Sequence, residues 1–144
     1  TFNRDKLLKL LIKHEGLQLK AYRCSQGKLT IGVGRNIEDL GITQGEALIL
    51  LVNDIDRIQS EAKDLIASYE LLDDVRKTVV LSMIFNLGAT RFSKFKNLIN
   101  FVNEGNFIQA AAEMQTSLWY YQVGQRAEDL YQMMLTGQYI DAVM

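Results

Sequence analysis

The chain has 144 residues, 48% of them apolar and 23% charged, with a mean hydropathy of −0.03 and a net charge of −1. This composition suits one folded domain with a real core and excludes a disordered chain; no run approaches the roughly 18 uncharged apolar residues of a membrane span. One Cys excludes an internal disulfide, and one His beside one Cys, without a carboxylate cluster, leaves no zinc site, so no metal or cofactor is expected.

Residues 3–14 read as an amphipathic helix capped by Asn3, with Leu7, Leu8, Leu11 and Ile12 on one face. Gly16 is expected to end it in a left-handed conformation, leaving Glu15 in its last turn at a chain reversal. Residues 1–36 hold eight Lys/Arg against two Asp/Glu, and residues 37–144 eight against fifteen. A basic N-terminal region suits an anionic polymer, although Lys6, Lys9 and Lys13 equally recur as a solvated helix face. Arg4, Asp5, Lys6 and Lys9 interrupt any export-signal pattern, so none is expected.

The period changes over residues 17–36. Leu17, Leu19 and Ala21 alternate with polar positions, Ser25 to Lys28 form a turn, and Leu29, Ile31 and Val33 alternate again. This predicts a β-hairpin or meander that needs a third strand or neighbouring helices for support. Thr43-Gln44-Gly45-Glu46 is a capping box opening a long helix to about Ala67, with Ala47, Leu48, Leu51, Val52, Ile55 and Ile58 on one stripe. Asp73 caps a helix to about Leu87 that is apolar nearly all round and therefore central. Shorter helices are expected at about 94–103, 107–115 (capped by Asn106) and 125–135.

The stretch that points to chemistry runs from Glu15-Gly16-Leu17 through Tyr22-Arg23-Cys24 to Thr30-Ile31-Gly32-Val33-Gly34-Arg35-Asn36. It sets an acid at a helix end, a thiol on one hairpin arm and a hydroxyl on the other. Eight residues separate Glu15 from Cys24, and five separate Cys24 from Thr30. In this the chain resembles the phage-type lysozymes, the muramidases of glycoside hydrolase family 24, whose signature is Glu-x8-Asp-or-Cys-x5-Thr. The resemblance continues in order through Gly41-Ile42-Thr43, Asp74-Val75-Arg76, Phe85-Asn86-Leu87-Gly88, Ser117-Leu118-Trp119, Gln125-Arg126-Ala127 and Thr136-Gly137.

The resemblance implies a mostly helical α+β lysozyme-like fold. It would have a small lobe at about 14–42, a bridging helix at 43–67 and a helical lobe at 68–144, with the N-terminal helix packing on the last. Glu15 would be the general acid, with Cys24 and Thr30 supporting attack by water on the far face of the sugar, as inverting hydrolysis requires. The substrate implied is the β-1,4 bond between N-acetylmuramic acid and N-acetylglucosamine in peptidoglycan. Asn36, Phe85 and Arg126 would be the substrate-binding residues, Arg126 matching an arginine that in relatives pairs with the catalytic Glu. The partners expected are peptidoglycan strands alone, with no nucleic acid and no integral membrane contact. The protein is expected as a monomer held in a host cytoplasm until the membrane is opened.

Read on their own, these residues have plainer alternatives. Glu15 is an ordinary helix-end carboxylate, Cys24 a packed inert thiol, Phe85 a core residue, and Arg126 a surface partner for Glu128 or Asp129. A free thiol near pH 7 is mostly protonated; Arg23, Lys28 and Arg35 are the neighbours expected to lower its pKa. Arg35 stands where relatives often have His, and Leu98 and Glu113 replace polar, uncharged groove residues, so neither is expected to touch sugar. Trp119 and Tyr120 read as packing residues. Gly32-x-Gly34 lacks the context of a dinucleotide site, Cys24 with His14 lacks an orienting group, and pI 5.8 is wrong for a nucleic-acid module. The alternative class is a non-catalytic wall-binding or structural relative with the same fold.

Overall fold

In the computed structural model, which describes residues 2–141, a mostly helical α+β chain is built from eight α-helices, a short 3-10 turn and one three-stranded antiparallel sheet among the described residues. It divides into two compact units, one ending at Leu50 and the other beginning at Leu51.

The first unit opens with α1 (Arg4–Glu15), whose expected cap is present: the Asn3 side chain accepts from the Lys6 amide at 3.1 Å. Gly16 ends the helix with φ +79, but its ψ of 170 is extended rather than left-handed helical, which sends the chain straight into a strand. Strands β1 (Gln18–Arg23), β2 (Leu29–Gly32) and β3 (Arg35–Asn36) follow in the order β1-β2-β3. The meander, not the lone hairpin, is what forms. Thr30 sits in its middle strand, paired with Tyr22 on one side and Asn36 on the other. The alternation that marked β1 does not bury a face, since Leu17 and Leu19 are both exposed.

Helix α2 (Gln44–Leu65) begins at the capping box in full. The Glu46 amide donates to Thr43 Oγ1 at 3.1 Å, and the Thr43 amide donates back to Glu46 at 2.8 Å. Its expected stripe is only partly realised: Leu48, Leu51, Val52 and Ile55 are exposed, while Ile58 and Ala62 are buried.

The second unit holds the core. Helix α3 (Asp74–Leu87), capped by Asp73 as expected, buries Val75, Val79, Val80, Met83, Ile84 and Leu87. Around the core lie α4 (Ala89–Phe92), α5 (Lys96–Asn103), α6 (Phe107–Gln115), α7 (Leu118–Val123) and α8 (Gln125–Thr136). Helix α6 packs on both α5 and α8, and α8 also packs on α3. Leu98 is a core residue, and Asn106 caps α6. Two helices had no sequence signal: α4 and α7 are four and six residues long, too short to display a period. Trp119, on α7, is buried, and its indole N–H donates to Asn86 at 2.7 Å, which bears out the packing role.

One arginine closes the far end of this unit. Arg76 donates to the carbonyls of Met134 (2.9 Å) and Leu135 (3.2 Å) and lies 4.0 Å over the Phe107 ring. It satisfies carbonyls that the end of α8 leaves without helical partners. Gly137 makes room for it: a Cβ there would stand 2.8 Å from Arg76 Nη1.

Candidate active site

Glu15 is the last residue of α1 and is exposed. The helix stops there because the Gly16 amide takes the Ile12 carbonyl at 2.8 Å. The carboxyl group comes to rest against Gly34, in the turn between β2 and β3. The acid thus reaches the strands that carry the other candidate residues of this unit.

Cys24 and Thr30 come together across the β1–β2 turn. Cys24 and Lys28 close that turn with a 2.9 Å backbone bond, and the Gly27 amide bonds the Cys24 carbonyl at 2.8 Å. The backbone N–H groups of Gln26 and then Lys28 donate to the Cys24 sulfur and hold its pKa below the ordinary value; the Thr30 hydroxyl adds to this and partial burial opposes it. A carboxylate at this position would accept the same donors, which gives a physical reason why Asp or Cys can serve the motif.

The expected cause of the lowered thiol pKa is therefore corrected. Arg23 is engaged with Glu38 (3.1 Å) and the Gly27 carbonyl, Lys28 with Asp39 (3.3 Å) and Glu38, and Arg35 with Glu46. Their charges are spent on carboxylates, and turn amides do what the cations were expected to do.

Thr30 is buried, at 3% exposure. Its hydroxyl donates to the Lys28 carbonyl at 2.8 Å, so its single proton has two acceptors in reach, that carbonyl and the sulfur. Among the described residues no group donates a hydrogen bond to that oxygen. Asn36, cross-strand from Thr30, is tied to Asp39 through both ends of its amide at 3.0 Å, which fixes the chain after β3.

Arg35 forms a two-point ion pair with Glu46 at 2.9 Å and donates to the Gly41 carbonyl at 3.1 Å. The pair links β3 to the start of α2. Hydrogen bonds from Arg35, and next the Thr43 amide, hold the Glu46 carboxyl at a pKa of about 2. Sequence reasoning missed this pair; its only signal was that Glu46 belongs to a capping box and so has a fixed position.

Phe85 and Arg126 belong to the second unit and meet there. Both line an open apolar hollow with Leu51, Ile55, Leu81 and Ser82. Phe85 is 48% exposed and so is not a core residue. Arg126 makes no ion pair among the described residues and donates to the Ser82 carbonyl at 3.4 Å. Its alternative partners are taken: Glu128 accepts from Tyr120 and Gln132, and Asp129 from Gln125. The missed lining residues Thr78, Leu81 and Ser82 stand seven, four and three positions before Phe85, one helical stripe that the all-round apolar pattern concealed.

A family profile described as "Phage lysozyme" matches residues 12–133, a span that contains every candidate site residue named above. The chain is 34% identical over 113 residues to an endolysin of Acyrthosiphon pisum secondary endosymbiont phage 1, covering 76% of this chain and 75% of that protein. It is 29% identical over 160 aligned positions to a probable T4-type lysozyme of Dictyostelium discoideum, covering 90% and 94%. A SAR-endolysin of Escherichia phage Mu is similar at 29% identity over 123 residues, covering 83% and 69%. The chain belongs to the phage lysozyme family.

Proposed function

We propose that this protein is an endolysin-type muramidase that hydrolyses the β-1,4 bond between N-acetylmuramic acid and N-acetylglucosamine in peptidoglycan. Glu15 gives its proton to the glycosidic oxygen as the bond breaks. Thr30 accepts a hydrogen bond from the attacking water, and Cys24, working partly as thiolate, supports that water and the positive charge that develops on the sugar. Asn36, Phe85 and Arg126 bind the saccharide. The enzyme works as a monomer, and it acts on the wall after the membrane has been opened, a site of action that the name of its endolysin relative supports.

The observation that carries this reading is the convergence on one small sheet. An exposed carboxyl lies against the β2–β3 turn, while a thiol held by two amides opens the β1–β2 turn and a buried threonine sits on β2. The test is turbidity clearance of purified peptidoglycan by wild type and Glu15→Gln, with product analysis for new muramic acid reducing ends. Wild type should clear the wall, and the variant should lose roughly 10²–10⁴-fold in rate with an unchanged melting temperature. Sedimentation of both with the wall, and clearance by neither, would mean a wall-binding protein instead.

A further inference from the structure

We propose that Gly34 is a positioning residue for Glu15, an inference that rests on the reading of Glu15 as the acid. The missing side chain at position 34 is the space that the Glu15 carboxyl occupies. Two glycines flank Val33, Gly32 at the end of β2 and Gly34 in the turn to β3, and both have positive φ, +72 at Gly32 and +70 at Gly34. Backbone conformation alone is reason enough for glycine at both positions. Their surroundings differ. A Cβ at Gly32 would meet no heavy atom within 4 Å, whereas one at Gly34 would lie 3.1 Å from Glu15 Oε2, 3.4 Å from Cδ and 3.5 Å from Cγ.

Glu15 has three rotatable side-chain bonds and no hydrogen bond or ion pair from its carboxyl among the described residues. What limits its position within this unit is therefore the wall of the turn itself. A proton donor has to sit within hydrogen-bond reach of the oxygen it protonates, and small misplacements are costly to rate. A methyl group at 34 would push the flexible carboxyl by a few tenths of an ångström, not the strand. Gly34 sets how close the acid approaches the turn.

The two glycines provide the control. Gly32→Ala and Gly34→Ala impose the same backbone strain, so both should lower the melting temperature by a similar amount. Only Gly34→Ala should move the Glu15 carboxyl ¹³C resonance and lower kcat, by about tenfold, with KM unchanged. The Asn pair at the same positions repeats the comparison with a side chain that tolerates positive φ, should the Ala variants fail to fold. In the wild type, an NOE should connect the Gly34 Hα and Glu15 Hγ protons. Its absence, or indistinguishable effects of the two substitutions on the Glu15 resonance and kcat, overturns the proposal. Absence of hydrolysis by the wild type would instead overturn the reading of Glu15 as the acid, and the NOE would still report the seating of the carboxyl.

Discussion

The two units of this chain are held together by different physics. Between residues 2 and 50 the only buried residue is a polar one, Thr30, whereas all 22 buried apolar residues among the described ones fall between Ile58 and Met134. The first unit relies on strand pairing, a helix cap, a capping box and the ion pairs of Arg23, Lys28 and Arg35. The second relies on side-chain packing around α3. Exposed ion pairs contribute little stability, but they are directional. In the first unit they fix strands, turns and the thiol's surroundings, which is what a catalytic arrangement needs. Packing stability and directional bonding are thus supplied by different stretches of the chain.

Deletions of apolar bulk should separate the units most sharply. Phe92→Ala, at a fully buried position, should cost about 3–5 kcal/mol in urea unfolding. Leu19→Ala, 82% exposed on β1, should change stability by less than about 0.5 kcal/mol. Equal costs would mean that the first unit has an apolar core after all. Next in size is Arg76→Met, the polar tie within the apolar unit. Losing its bonds to the carbonyls at the end of α8 should cost about 2 kcal/mol. A neutral result would show that packing alone holds that corner.

The polar unit should respond to pH instead. Glu46 titrates at about 2 in the folded chain against an ordinary 4.5, so its pairing with Arg35 adds stability that is complete above pH 4.5 and is lost as pH falls toward 2. The melting temperature of the wild type should therefore fall more steeply across that window than that of Arg35→Gln. Because the pair is open to solvent, the difference is small and shrinks in high salt. Parallel curves would remove the pair from the list of what holds β3. The smallest effect concerns Cys24. Its alkylation by iodoacetamide should reach half-maximal rate at a lower pH in the folded protein than in the denatured one. Thr30→Val should move that midpoint only partway up, because the Gln26 and Lys28 amides are the larger causes. A full return to the denatured value would make Thr30, rather than the turn, the dominant donor.

Local features were legible from residue order alone. The caps at Asn3, Thr43, Asp73 and Asn106 all form, because each bonds an amide three residues away and needs no distant partner. The Glu15–Cys24–Thr30 spacing was likewise readable, since turn lengths and strand pairing are short-range. The directions taken by side chains were not. The cations near Cys24 find carboxylates 10 to 15 residues away, so their proximity in sequence said nothing about which charge they would meet. An all-round apolar α3 could not reveal that Phe85 faces outward while Met83 and Ile84 face the core. Nor could the two-glycine turn show which glycine lies under the acid. Residue order determined the longer helices, the strands and the order of the candidate groups, because those follow from bonds between near neighbours. Only tertiary structure decided what surrounds each group, because burial and pairing depend on chain segments that meet through folding.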